Sequence, residues 1–178
     1  MNPYLLIDKY YKDNLPLKEL LIVHSEAVRD KALWVVDKHP EFNVDRSFVA
    51  EAAMIHDIGI FMTKAEGIYC FGDAPYIAHG YLGADLMSKE GYNKHALVCE
   101  RHTGTGLSLD TIVRRNLPIP HRDMCPESLE EEIICFADKF FTKSHLETEL
   151  NVEEVQEALS RFGEEVVTQF NKWCVRFL

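Results

Sequence analysis

The sequence predicts an all-α protein folded as a single domain, on three observations. Apolar residues recur at helical spacing, cap signatures bracket those stretches, and no segment alternates apolar and polar residues as a half-buried strand does. With 178 residues, 47% of them hydrophobic, the chain can bury a core of ordinary size.

The first helix is expected from about Leu17 to Val36, where Leu20, Leu21, His24, Ala27, Val28, Lys31 and Val35 form one broad stripe, and His39-Pro40 closes it. Asp45 caps the next, which runs through Phe48, Ala52 and Ile55 to His56-Asp57 and stops at Gly59. Ile60 to Pro75 reads as a long ordered loop over that helix end. A helix from about Tyr76 to Lys89 ends at Gly91, and a shorter one spans Lys94 to His102 before the turn Thr103-Gly104-Thr105-Gly106. Ser108 caps a short helix through Arg115, whereas Asn116 to Pro126, with three prolines, cannot be regular. Ser128 with Glu131 forms a capping box for the helix carrying Ile133, Ile134, Ala137 and Asp138. Asn151 with Glu154 repeats it for one last helix holding Val155, Leu159, Phe162, Val166, Phe170 and Trp173.

Charge narrows the function classes. The formal charge is −10 and the pI about 5.2, so general binding to nucleic acid is disfavoured. No stretch approaches the roughly 20 apolar residues that span a bilayer, and Met1 to Lys9 does not read as a signal peptide. The five cysteines contain no C-x-x-C pair, which suits reduced thiols in the cytoplasm. The last helix, with Trp173, Phe177 and Leu178 near its end, either packs a second copy of the chain as a homodimer or completes the core.

His24, His56, Asp57, His79, His102 and Asp138 fall at or beside core-facing positions on five predicted helices. A buried polar pair such as His56-Asp57 is costly unless something satisfies both side chains, and a divalent cation does. Imidazole with carboxylate suits Mn, Fe, Co, Ni or Zn better than Mg. The order His24, His56-Asp57-Ile58-Gly59, Asp138 resembles the H…HD…D signature of the HD-domain superfamily of metal-dependent phosphohydrolases, in its HDIG form, from about Leu20 to Thr142. His79 and His102 match the two further histidines of members that hold a second metal. The resemblance implies a single HD-type helical bundle over 1–178, its metal-binding core at about 20–142 and a C-terminal helix at about 152–178. It also implies that His24, His56, Asp57 and Asp138 ligate one ion, and that Asp57 bridges to a second held with His79 and His102. Two such ions can share a hydroxide and clamp the attacking and leaving oxygens of a phosphoryl displacement.

The expected reaction is therefore hydrolysis of a small phosphorylated metabolite, a nucleotide or phosphomonoester, with Asp57 at its centre. A di-iron oxygenase built on the same ligands and a non-catalytic signalling module are the competing readings. Lys139, after one ligand, and Arg101, before another, are phosphate-contact candidates, although each is rotated about 100° from its neighbour on a helix. The loop His121-Arg122-Asp123 is a candidate recognition element, and Phe61, Tyr69, Phe71 and Tyr76 form an aromatic set that either stacks a base or anchors the loop. His39, His95 and His145 read as structural or solvent-facing, and His95 with Cys99 as a metal pair lacking partners.

Overall fold

Short polar side chains start most of the helices. The computed structural model describes residues 1–178, Glu147 by its backbone alone. Asn2 caps α1 (Pro3–Tyr11), Asn14 caps α2 (Leu15–Lys38) and Asp45 caps α3 (Arg46–Ile55), each accepting first-turn N–H groups. Next come α4 (His79–Lys89), α5 (Asn93–Arg101) and α6 (Leu109–Arg114), the last capped by Ser108. Then α7 (Leu129–Asp138) starts at Ser128, α8 (Val152–Ser160) at Asn151, and α9 (Glu164–Phe177) follows. No helix is long and apolar enough to cross a membrane among the described residues.

Four features depart from the sequence reading. Helix α1 was not anticipated. The 60–75 segment holds three short strands, β1 (Thr63–Ala65), β2 (Cys70–Phe71) and β3 (Ala74–Pro75), paired in the order β2-β1-β3. A second pair, β4 (Phe141–Thr142) and β5 (His145–Glu149), forms an antiparallel hairpin after α7. Four of these strands, of two or three residues, are too short to show an alternating pattern, and five-residue β5 carries a single apolar residue, Leu146. The expected last helix is two helices, broken at Gly163, whose φ of 116° is open to glycine at little cost.

Capping also differs in detail. Asn151 and Glu154 form the full reciprocal box. Ser128 accepts from the Glu131 N–H, but the Glu131 carboxylate turns to Arg101 (3.0 Å) and the Glu127 N–H (2.9 Å) instead of completing the box.

Two apolar cores meet at the polar residues. Val28, Ala32 and Val35 of α2 join Val49, Phe136, Phe170, Trp173 and Phe177 in one, while Leu17 and Leu21 of α2 join Ile7, Tyr11, Ile55, Ile58 and Met87 in the other. Along α2 the changeover falls at His24-Ser25, and along α3 it falls just before His56. Phe136 stacks on Phe170 (5.6 Å between ring centres) and meets Phe177 edge-on (5.2 Å), pairs worth about 0.5–1.5 kcal/mol each beyond burial. Trp173 and Phe177 are 2% and 0% exposed and complete the core, so neither lies on a face open to a second copy; Leu178 alone of that trio is exposed.

Candidate metal centre

Backbone geometry sets the imidazoles before any ligand is considered. His56 and His102 follow the last residues of α3 and α5, and His79 opens α4. In each ring Nδ1 lies 2.7–2.8 Å from the carbonyl three residues earlier: His56 on Ala53, His79 on Tyr76 and His102 on Cys99. A carbonyl only accepts, so Nδ1 carries the proton and, in the neutral ring, Nε2 is left as a bare lone pair.

Those lone pairs converge on one carboxylate. His24 and His56 place Nε2 at 3.2 and 3.1 Å from Asp57 Oδ2, whereas His79 and His102 place theirs at 3.5 and 3.4 Å from Asp57 Oδ1. Asp138 Oδ1 closes the first side, 3.1 Å from His24 and 3.4 Å from His56. The His79 and His102 Nε2 atoms stand 3.1 Å apart. With both Nδ1 protons already donated to carbonyls, that approach is between two acceptors and is no hydrogen bond between neutral rings. A cation between them removes the conflict.

Burial sharpens the need. His56 and Asp57 are wholly buried; His56 Nε2, His24 Nδ1 and Asp57 Oδ1 have no hydrogen-bond partner among the described residues, and Asp57 Oδ2 has the Lys143 ammonium at 2.5 Å. Burial alone would lower the His56 pKa, but Asp57 and Asp138 outweigh it and raise it to about 9. For His79, burial wins and pushes the pKa down to about 3; His102 moves the same way for the same reason. Burial would raise Asp57, yet Lys143 and His56 hold its carboxyl well below the usual range, and Asp138 is depressed likewise by Lys139 and the His24 and His56 rings. Two groups, His24-His56-Asp57-Asp138 and Asp57-His79-His102, thus offer ligand atoms all within 4.8 Å of one another. The donor set and its orphaned atoms fit divalent metal.

Glycines let the elements approach this closely. A Cβ on Gly59 would lie 2.3 Å from the His79 carbonyl oxygen and 2.5 Å from the Gly83 nitrogen, and one on Gly80 would meet the Cys99 carbonyl at 2.9 Å. Gly59 was expected to end α3, but its φ of −84° is one any residue adopts, and the helix has ended at Ile55. Its part is to let α4 sit directly on the His-Asp turn.

The structure brings all six expected ligands together, with Lys139 beside them: Lys139 Nζ donates to Asp138 Oδ2 (2.7 Å) and the His102 carbonyl (3.0 Å). Arg101 is a correction. Its guanidinium is held by Glu131 (3.0 Å) and Glu127 (3.1 Å), neither of them a residue of the cluster. Arg122 likewise pairs with Glu100, and Asp123 accepts from the Cys125 and Leu109 N–H groups, which makes that loop a structural turn. The aromatic set is scattered: Phe61 packs on Tyr10 and Tyr11, Tyr69 and Phe71 are exposed, and only Tyr76, stacked on His79 at 4.9 Å, reaches the site. His95 pairs with Glu51 (3.4 Å). Sequence reasoning missed Lys143, whose Nζ is 2.5 Å from Asp57 Oδ2, because the turn between β4 and β5 that delivers it carries no periodic signal.

No family model matches the chain. Among solved structures it is similar to the HD domain of the L. monocytogenes phosphodiesterase PgpH, with a TM-score of 0.57 over 94% of this chain and 93% of that one, at 15% sequence identity. The chain has the HD-domain fold. Beyond the HD fold, it is 31% identical over 129 residues to the tRNA (cytidine(56)-2'-O)-methyltransferase of Picrophilus torridus and 31% over 124 residues to that of Thermoplasma volcanium. It is also 32% identical over 123 residues to an uncharacterized protein of Methanocaldococcus jannaschii. This HD-fold chain spans only 33% and 32% of the two methyltransferases and 65% of the third relative.

Proposed function

We propose that the chain is a metal-dependent phosphoric ester hydrolase acting on a small phosphorylated metabolite, a nucleotide or other phosphomonoester. One observation carries this reading: carbonyl-locked imidazoles direct their Nε2 atoms at the two oxygens of a single buried carboxylate. His24, His56, Asp57 and Asp138 would hold one divalent ion, and Asp57, His79 and His102 a second, with Mn, Fe, Co, Ni and Zn as the suited elements. Bound there, such ions supply Lewis acidity, neutralising phosphoryl charge and lowering the pKa of water.

The chain's own groups have separable tasks. Asp57 presents one oxygen to each half of the cluster and so fixes the spacing between them. Lys139 lines the adjoining cavity with a third N–H still to offer a phosphoryl oxygen, its other contacts being Asp138 and the His102 carbonyl. Lys143 supplies a second ammonium, at Asp57 rather than Asp138, 2.5 Å from Oδ2. Five of the six residues are buried and Asp138 is partly so, which limits contact with bulk water and strengthens each of these charge interactions.

The solved neighbour's description as a phosphodiesterase supports the reaction class. The methyltransferase name belongs to proteins of which this chain matches a third, and methyl transfer to a ribose oxygen has no use for a buried cluster of imidazoles around a carboxylate. The deciding experiment strips the protein with chelator, restores each metal in turn, and measures phosphate release from p-nitrophenyl phosphate and nucleoside monophosphates under nitrogen. Turnover is expected with at least one metal, and Asp57→Ala should reduce it to background with the helical circular dichroism retained. An Asp57→Ala protein as active as the wild type ends the proposal.

A further inference from the structure

A cavity of about 950 Å³ adjoins the metal centre, starting at Tyr76, His79 and Lys139 and running between the Thr103–Ser108 loop, α6 and the α8–α9 hairpin. That is the upper end of the range for small-molecule sites, about 300–1,000 Å³, and a lone phosphate or a sugar phosphate fills little of it. Away from His79 the wall is mainly apolar, with Leu107, Leu117, Leu159, Phe162, Val166 and Trp173, and Thr103, Thr105 and Gln169 are among the polar groups set into it. Several polar groups that interrupt it are already partnered within the protein. Ser108 accepts from the Thr111 N–H and bonds its hydroxyl, Glu132 pairs with Arg176 (2.6 Å), and Glu165 pairs with Arg114 (3.2 Å) and Arg115 (3.5 Å). A polyhydroxylated body would lose its hydration here with few partners in return, whereas a hydrocarbon body meets a matching surface.

We infer that this cavity is the leaving-group site for a phosphoric monoester of a long apolar alcohol, an alkyl or prenyl chain, with its phosphoryl end at His79 and Lys139. The inference rests on the hydrolase reading and narrows its substrate. The reaction is balanced by water alone: the ester P–O bond breaks, the water oxygen forms the new P–O bond, and a water proton ends on the alcohol oxygen. Inorganic phosphate and the free alcohol are the products.

Two measurements on the full chain test it. In the metal-restored protein, kcat/KM for n-alkyl phosphates from ethyl to decyl should rise about fourfold per methylene until the cavity is filled. Binding is read without turnover by titrating n-alkylphosphonates, whose C–P bond is not hydrolysed, into Trp34→Phe protein, in which cavity-lining Trp173 is the remaining tryptophan. Affinity should climb with the same slope. Phe162→Gln alters an exposed residue, so the fold is spared, and should weaken decylphosphonate by about tenfold while leaving ethylphosphonate unchanged. Farnesyl against dodecyl phosphate separates branched from straight chains, either preference agreeing with the inference.

Flat chain-length dependence in both series, with p-nitrophenyl phosphate still cleaved, would overturn the cavity assignment and leave the hydrolase reading standing. A nucleoside monophosphate preferred over decyl phosphate would also overturn it. Rising phosphonate affinity with no phosphate released from any ester would support the apolar site and reject the hydrolase reading.

Discussion

Protons and the proposed metal would compete for the same atom at His56. Without metal, its Nε2 faces Asp57 and Asp138 and its pKa is raised to about 9, so the ring is charged at neutral pH. Metal uptake must expel that proton. Calorimetry in two buffers of different ionisation enthalpy should report release of about one proton at pH 7, and metal affinity that rises with pH up to about 9; uptake at pH 7 without proton release would contradict the assignment. The same raised pKa means that the metal-free fold keeps His56's contribution fully below the ordinary value of 6.5 and loses it as pH rises through about 9. At this scale the cluster was legible because six metal-competent side chains stood at core-facing positions in a familiar order. Arg101 was misjudged because adjacency to His102 says nothing of Glu131, a residue 30 positions away that captures it. Lys143 was invisible for the converse reason: only a folded hairpin brings it to Asp57.

Between elements, the approach of α4 to the His-Asp turn is the contact on which the second half of the cluster depends. Gly59→Ala would drive a methyl into the His79 carbonyl and the Gly83 backbone, atoms that cannot rotate away. Overpacking of this kind costs about 1–3 kcal/mol. Urea unfolding should show that loss, and metal analysis should show fewer ions per chain; wild-type stability and metal content together would reject the steric role. The helices themselves were readable from their caps, since Asp45, Ser108, Ser128 and Asn151 each occupy the cap position that the sequence suggested. What escaped was set by tertiary packing: α1 and the two small sheets lack long periodic patterns, and Gly163 divides a stretch whose apolar spacing runs on unbroken.

For the molecule as a whole, two apolar cores flank a wall of charge at His24, His56 and Asp57, and that wall is the least stable place to leave uncompensated. A ligand that binds only the folded state at about 100 times its Kd adds about 2.7 kcal/mol. For a chain of this size that corresponds to a rise in Tm of roughly 5–10 °C. Thermal scans of chelator-treated and metal-restored protein should differ by that much, and coincident curves would show that the fold owes nothing to metal.

The division of Asp57, Oδ2 toward His24 and His56 and Oδ1 toward His79 and His102, sets how the protein should fill. Two sites that draw on one carboxylate are anticooperative. On the proposed ligand assignment the first ion would take the four-residue side, with two carboxylates, and the second would meet an Asp57 whose charge is already partly neutralised. Occupancy should therefore rise in two separated steps, the singly loaded protein dominating at low metal and His79→Ala or His102→Ala removing only the later step. A titration with a single two-ion inflection would show that the shared carboxylate imposes no such order.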